Sequence, residues 1–199
     1  MFSYAADGWG VGELAFEGQK LLYHRLPVPP RSGEPDPNHP QGMPEVPLVT
    51  VPAELAPECA GSAPDLAGRL REFFAGLPVG FDDVELDLDW CTEFQRSLVA
   101  TLRAVPRGET ITYGELAALA GHPNAQRAAG SFCGANRFGI VVPCHRVVAA
   151  DGLGGYGSLG PTYKRRLLEL EGADHALGAG GWEGKLRGRP PLRLPRSGP

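Results

Sequence analysis

Hydrophobic positions along the chain recur with two different periods, and the change from one to the other divides it. Val11 to Phe16 and Lys20 to Leu26 are extended runs separated by Glu17-Gly18-Gln19, which predicts a hairpin. Leu66, Leu70, Phe73 and Phe74 then recur at helical spacing and stop at Gly76. Val84-Glu85-Leu86-Asp87-Leu88-Asp89 alternates strictly, as a half-buried strand does. From Thr92 the period becomes helical. Thr92-x-x-Gln95 is a capping box, followed by Phe94, Leu98, Val99, Leu102 and Val105 on one face before Pro106. Thr112-Tyr113-Gly114-Glu115 is a second capping box, opening a short helix that closes at Gly121. Asn124 is placed to cap a third, beginning Ala125-Gln126-Arg127-Ala128-Ala129. Two short helices joined by Gly121-His122-Pro123 outline a helix-turn-helix. The apolar Ile140-Val141-Val142 leads into Pro143-Cys144-His145-Arg146-Val147-Val148. A glycine-rich link from Gly152 to Gly160 precedes a last helix with Tyr163, Leu167 and Leu170 on one face and Gly172 past its end.

Composition changes this picture at two places. Eleven of the 20 prolines fall between Pro27 and Pro64, which excludes a helix or a central strand there and marks an irregular insertion. Residues 175–199 are rich in Gly, Pro and Arg with few apolar residues, which predicts a disordered tail. The domain reading is therefore 1–84, an α+β unit carrying the 27–64 insertion, then 85–174, then the tail. No apolar run is long enough to cross a bilayer, and no secretory signal is visible at the N-terminus. The expected location is cytoplasmic, nucleoid-associated in a bacterium. The net charge of −4 by itself argues against non-specific nucleic-acid binding.

Of the four cysteines, Cys59, Cys91, Cys133 and Cys144, none forms a C-x-x-C, so neither a zinc ribbon nor a thioredoxin-type motif is indicated. Cys59 with His24 or His39 lacks convincing ligand spacing and a fourth ligand, and no metal or cofactor is expected. Cys144 stands beside His145, and a thiolate is the nucleophilic form of cysteine, which a neighbouring imidazole can generate. An arbitrary Cys-His pair is more often a buried cysteine next to a surface histidine. Glu171, in the last helical turn, meets the negative end of the helix dipole, so it is either solvated or held by a donor such as His145. Together the three supply a nucleophile, a proton carrier and an orienting carboxylate.

The ordered set is more specific than any pair within it. Phe94-Gln95, Pro106-Arg107-Gly108-Glu109-Thr110, Thr112-Tyr113-Gly114, Ala117-Ala118, Arg127-Ala128, Asn136, Pro143-Cys144-His145-Arg146-Val147-Val148, Gly155-Tyr156, Lys164 and Leu167-Leu168-Glu169-Leu170-Glu171-Gly172 stand at matching spacing. With them, residues 94–172 resemble the C-terminal domain of the O6-alkylguanine-DNA alkyltransferases (methylated-DNA–protein-cysteine methyltransferases). Upstream, Gly8-Trp9-Gly10 and the hairpin are weakly similar to the start of the family's N-terminal domain.

The resemblance implies an α+β chain. A small ribonuclease H-like N-terminal α/β domain precedes a mainly helical, winged helix-turn-helix-like alkyltransferase domain. It implies a stoichiometric repair reaction without cofactor. In this reading Cys144 takes the alkyl group from guanine O6, and O4-alkylthymine is a second substrate. His145 deprotonates the thiol through a water, Glu171 orients His145, and Tyr113 supplies a donor to the guanine ring. Pro143, Val147, Tyr156 and Ser158 correspond to the substrate pocket. The base must leave the duplex, with Arg127 filling the space it vacates. Ala125, Ala128, Ala129 and Gly130 would then form the smooth groove-facing surface, and Asn136 would bridge that helix to the active-site segment. Small residues equally suit close helix packing. Cys133 is expected to pack in the same helix.

The implied partner is duplex DNA containing O6-alkylguanine, met by a monomer with no membrane attachment. One departure from the family stands out: Arg137-Phe138 occupies the place where proline usually follows the asparagine. Two other classes compete. A binding-only alkyltransferase-like protein carries tryptophan at the nucleophile position, where this chain has Cys144. A cysteine hydrolase or redox enzyme would leave the helix-turn-helix and Arg127 without a purpose.

Overall fold

In the computed structural model, which describes residues 1–29 and 63–173, the chain divides into two units, Met1–Asp87 and Leu88–Pro199. In the first unit β1 (Phe2–Ala6), β2 (Gly10–Glu17) and β3 (Lys20–Val28) form an antiparallel sheet in that order. The hairpin is tighter than its sequence suggests. Glu17 pairs with Lys20, leaving only Gly18 and Gln19 in the turn, with Gly18 at φ +59°. β1 has no counterpart in the sequence reading, because five residues beginning at Phe2 are too few to establish a period. One helix, α1 (Ala63–Phe74), packs on this sheet, burying Leu66, Ala67, Leu70, Phe73 and Phe74. Tyr4, Trp9 and Phe74 meet in one aromatic cluster, and the Tyr4 hydroxyl lies 2.6 Å from His24 Nε2.

The strand expected over 84–89 is a correction. It is a single parallel bridge at Leu86, whose flanking groups both use Leu21: the Leu21 N–H donates to Glu85 O, and the Asp87 N–H donates to Leu21 O. Val84 is buried and Glu85 exposed, as alternation requires, but Leu86, Asp87 and Leu88 are only half-buried and add no further rung.

The second unit is mainly helical: α2 (Glu93–Arg103), α3 (Tyr113–Leu119), α4 (Gln126–Gly134) and α5 (Gly160–Leu170). Both capping boxes form with both reciprocal hydrogen bonds, Thr92 with Gln95 and Thr112 with Glu115. A short parallel ladder, β4 (Ile111–Thr112) with β5 (Val147–Val148), pairs Ile111 with Val147 and Thr112 with Val148. This ladder is what positions the site. β4 runs directly into Tyr113, and β5 directly follows a helical turn at Cys144–Arg146.

One local expectation is revised. Asn124 does not cap α4: it sits at φ +72°, outside the extended region an N-cap requires, and Ala125 takes the cap position without a side-chain bond. The apolar 140–142 run forms a turn, with Ile140 at φ +69°. A β-branched residue in that region is strained, and it is held there by burial of Phe138 and Ile140 and by Val142 N–H donating to Phe138 O at 2.7 Å.

Candidate active site

The site lies wholly in the second unit, where a loop, a helical turn and the end of a helix converge. Cys144 opens the turn that follows the strained loop and is 6% exposed. Asn136 holds both. Its Nδ2 donates to Val142 O at 2.8 Å and to Cys144 Sγ at 3.1 Å, while its Oδ1 accepts from Phe138 N–H at 3.0 Å. An amide that donates to sulfur favours the thiolate over the thiol. Burial pushes the Cys144 thiol above its usual range, and the Asn136 bond, the Lys164 ammonium and the Tyr156 hydroxyl work in the opposite direction. Burial prevails, so the cysteine needs a base.

His145 is fully buried beside it. Its Nε2 lies 3.1 Å from Glu171 Oε1. Burial lowers the imidazole pKa, and Glu171 only partly restores it, so the ring is neutral at pH 7 and able to accept a proton. Burial alone would raise the Glu171 carboxyl, but His145 and Arg146 hold it well below the usual carboxylate range. Of the two arrangements left open for Glu171, the held one is found. The helix dipole disfavours a carboxylate there, and the Arg146 fork outweighs it, donating Nη2 to Oε1 at 2.7 Å and Nε to Oε2 at 2.9 Å. Arg146 is anchored in turn by donation to Val105 O at 2.5 Å.

Tyr113 is half-buried at the start of α3, where burial pushes its hydroxyl pKa up to about 12 and keeps it protonated. Two glycines flank its ring. A Cβ on Gly130 would lie 3.8 Å from it and one on Gly154 3.4 Å; Gly154 also adopts φ +73°, so a side chain there would be strained as well as crowded. The Tyr156 ring stacks on Tyr163 at 6.1 Å. Its hydroxyl is buried near the Cys144 sulfur and counters the rise in the thiol pKa. Pro143 and Val147 are buried, whereas Ser158 is exposed.

Two residues that the sequence reading left without a role belong here. Arg146 clamps Glu171, as above. Lys164 is fully buried, with Nζ donating to Val147 O at 2.5 Å and Gly155 O at 3.3 Å, and it lies 5.8 Å from the Tyr113 ring centroid. Burial lowers its pKa to about 8, with Cys144 and Cys133 opposing. The signal was present in α5: Lys164, Leu167, Leu168 and Glu171 follow i, i+3, i+4, i+7, so a lysine shares the inward stripe. The face proposed on Tyr163, Leu167 and Leu170 is therefore rotated, since Tyr163 and Leu170 are only half-buried.

On α4 the outward stripe differs from the one expected. Arg127 and Ala128 are exposed, and Ala125 is half-buried. Ala129 has no exposure and faces the core, and Gly130 turns toward Tyr113. The 3.6-residue period instead places Ser131, Gly134 and Ala135 on the surface with Arg127. Among the described residues no three metal-ligating side chains cluster. Cys59 and His39 lie outside the described residues, as do 30–62 and the 175–199 tail. No helix among the described residues is long and apolar enough to cross a membrane.

A buried cysteine held by an amide and a histidine beside a buried carboxylate make up a site with a candidate thiol nucleophile, and an exposed arginine stands on a helix of small residues in the same unit. Comparison with known proteins agrees. The family described as "6-O-methylguanine DNA methyltransferase, DNA binding domain" matches residues 93–173. The methylated-DNA–protein-cysteine methyltransferase of Methanopyrus kandleri is 44% identical over 128 residues, 63% of this chain and 94% of that protein. That of Mycobacterium bovis is 50% identical over 104 residues, 52% of this chain and 61% of that protein. The crystal structure of Mycobacterium tuberculosis OGT in complex with DNA matches with a TM-score of 0.63 at 35% identity, covering 86% of this chain and 91% of that one. The chain belongs to the methylated-DNA–protein-cysteine methyltransferase family.

Proposed function

We propose that this protein repairs O6-alkylguanine in DNA by moving the alkyl group to Cys144 in a single turnover, with O4-alkylthymine as a second substrate. The observation that carries the reading is the Asn136–Cys144–His145–Glu171 arrangement: a buried thiol with an amide donor on its sulfur, beside a neutral imidazole held to a carboxylate. His145 takes the thiol proton through a water. Sulfur bonds to the alkyl carbon as the carbon–O6 bond breaks, and the electron pair stays on the guanine oxygen. Tyr113 supplies a proton to the guanine ring and is restored from solvent, while His145 releases the thiol proton. The product is a thioether at Cys144, which no group in the site reverses.

The target base must reach a buried sulfur, which requires its extrusion from the duplex. Arg127 is suited to fill the gap, since it is exposed and makes no ion pair among the described residues. Pro143, Val147 and Tyr156 line the pocket in this reading, Ser158 faces guanine O6 from its rim, and Asn136 couples pocket to helix. The α3–α4 pair with the β4–β5 ladder suits a winged helix-turn-helix over 85–174, acting as a monomer in the cytoplasm. The first unit, proposed over 1–84, suits a ribonuclease H-like start through its antiparallel sheet and covering helix. The binding-only reading is not favoured, because Cys144 stands at the nucleophile position.

The test is to incubate the protein with a duplex containing O6-methylguanine and analyse its peptides by mass spectrometry. One methyl group on the Cys144 peptide per protein is expected. Unmodified Cys144 beside unrepaired DNA would sink the assignment.

A further inference from the structure

The Arg137-Phe138 departure is absorbed by none of the roles above, and its geometry is specific. Phe138 is 1% exposed, its N–H is held by Asn136 Oδ1, and its ring lies 6.4 Å from that of Trp90. Arg137 is thereby fixed between a site residue and a core anchor, yet its own side chain is exposed. Its guanidinium carbon sits 4.4 Å from the Trp90 ring centroid. Stacking on an indole orients a guanidinium while leaving its N–H edge open to an acceptor. Among the described residues no carboxylate pairs with it.

The stretch of chain that carries Arg137 lacks acidic residues, although Asp89 adjoins its seat at Trp90. From Leu116 to Ala150 the sequence contains no Asp or Glu, and its arginines are Arg127, Arg137 and Arg146. Arg146 is neutralised by Glu171, so two cations remain. The outward stripe of α4 runs from Arg127 through Ser131 to Gly134, where the helix ends, and Arg137 stands three residues further on. At 1.5 Å per residue α4 ends about 10 Å along its axis from Arg127, and Arg137 stands past that end. A cation that far from the inserted arginine meets backbone rather than the extruded base.

We propose that Arg137, seated on Trp90, is a DNA-phosphate contact that this chain adds beyond the C-terminal end of α4. The inference rests on the reading of α4 as the DNA-contacting helix. Such a contact is indifferent to damage and to sequence, and its signature is electrostatic. Neutralising one phosphate contributes about 0.9 to the slope of log K against log salt.

The experiment is fluorescence anisotropy with an undamaged duplex between 50 and 200 mM NaCl, using the full chain. Arg137→Ala and Arg137→Gln are each expected to bind more weakly at 50 mM and to lower the slope by about 0.9. Their deficit relative to the unaltered protein then shrinks about 3.5-fold across that range. Arg137→Lys should keep the unaltered slope, because the charge remains even though the stack is weakened. Neutral variants with the unaltered slope would overturn the proposal and leave the stack on Trp90 as packing alone. If Arg127→Ala weakens binding while Arg137→Ala does not, this inference falls and the function stands. If the unaltered protein ignores duplex DNA, both fall.

Discussion

Replacing Glu171 by glutamine keeps its shape and removes its charge, so it isolates what the carboxylate does. Its side chain is fully buried, as is that of His145, and the Arg146 side chain is 13% exposed. The carboxylate takes two Arg146 bonds at 2.7 and 2.9 Å and meets His145 Nε2 at 3.1 Å. Breaking a buried pair from one side costs about 3–5 kcal/mol, because the remaining charge is left uncompensated. The glutamine oxygen keeps one acceptor, so a loss near the low end, about 3 kcal/mol, is expected at pH 7. The sign with pH is fixed by the direction of the shift. A carboxyl held below its unfolded value contributes stability that is present above that value, about 4.3, and lost as pH falls through the folded one. The gap between the unaltered protein and Glu171→Gln should therefore be full at neutral pH and close in strong acid. Hydrogen exchange of the α2 amides, around the buried Leu98 and Leu102, reads the opening of the unit that holds the site. Transfer from O6-methylguanine should slow by about 10²-fold or more, since His145 becomes a weaker and less oriented base. A stability gap below about 1 kcal/mol at pH 7, or one that does not change with pH, would refute the reasoning.

Asn136→Ala removes the donor on Cys144 Sγ and the tie to Val142, and should lower both thiol reactivity and repair; iodoacetamide alkylation of Cys144 against pH would shift to higher pH. Lys164→Met deletes the buried ammonium that opposes the rise in the Cys144 pKa, so alkylation at pH 7 should slow on the order of tenfold. Unchanged alkylation would confine Lys164 to its carbonyl bonds. Thr112→Ala breaks the α3 capping box next to Tyr113 and should cost about 1 kcal/mol in chemical denaturation, with repair slowed beyond what the lost stability explains.

Where the sequence was legible, local rules acted alone. Thr92 with Gln95 and Thr112 with Glu115 are reciprocal pairs within one turn, and both formed. Leu66, Leu70 and Phe73 met the α1 period because a single sheet lies beneath that face. Where tertiary contacts decide, the pattern was ambiguous. Alternation over 84–89 matched a strand, but only Leu86 finds a partner at Leu21. Ala129 is as small as Ala128, and composition does not tell the core side of α4 from the groove side. Lys164 and Arg146 were hidden for a different reason: buried cations are rare, and their acceptors, Val147 O, Gly155 O and Glu171, come from distant parts of the chain. The Cys144–His145–Glu171 set was legible only as an ordered whole.

The charge balance, which first spoke against DNA, gains meaning from this placement. Between Glu85 and Asp174 there are ten acidic and nine basic residues, so even the unit with the site has no excess of cations. What separates the signs is position. Every Asp and Glu is absent from 116–150, and the one arginine there that meets a carboxylate, Arg146, is paired with Glu171. The remaining two, Arg127 in the first turn of α4 and Arg137 three residues past its end, are both exposed, and the other outward residues of the helix are uncharged. A surface of that kind approaches a groove closely without a dense field. With at most two phosphates neutralised by it, the dependence of log K on log salt should have a slope of about −2 from this helix. Under the proposed function, weak and salt-tolerant DNA binding is expected, with discrimination left to the extruded base.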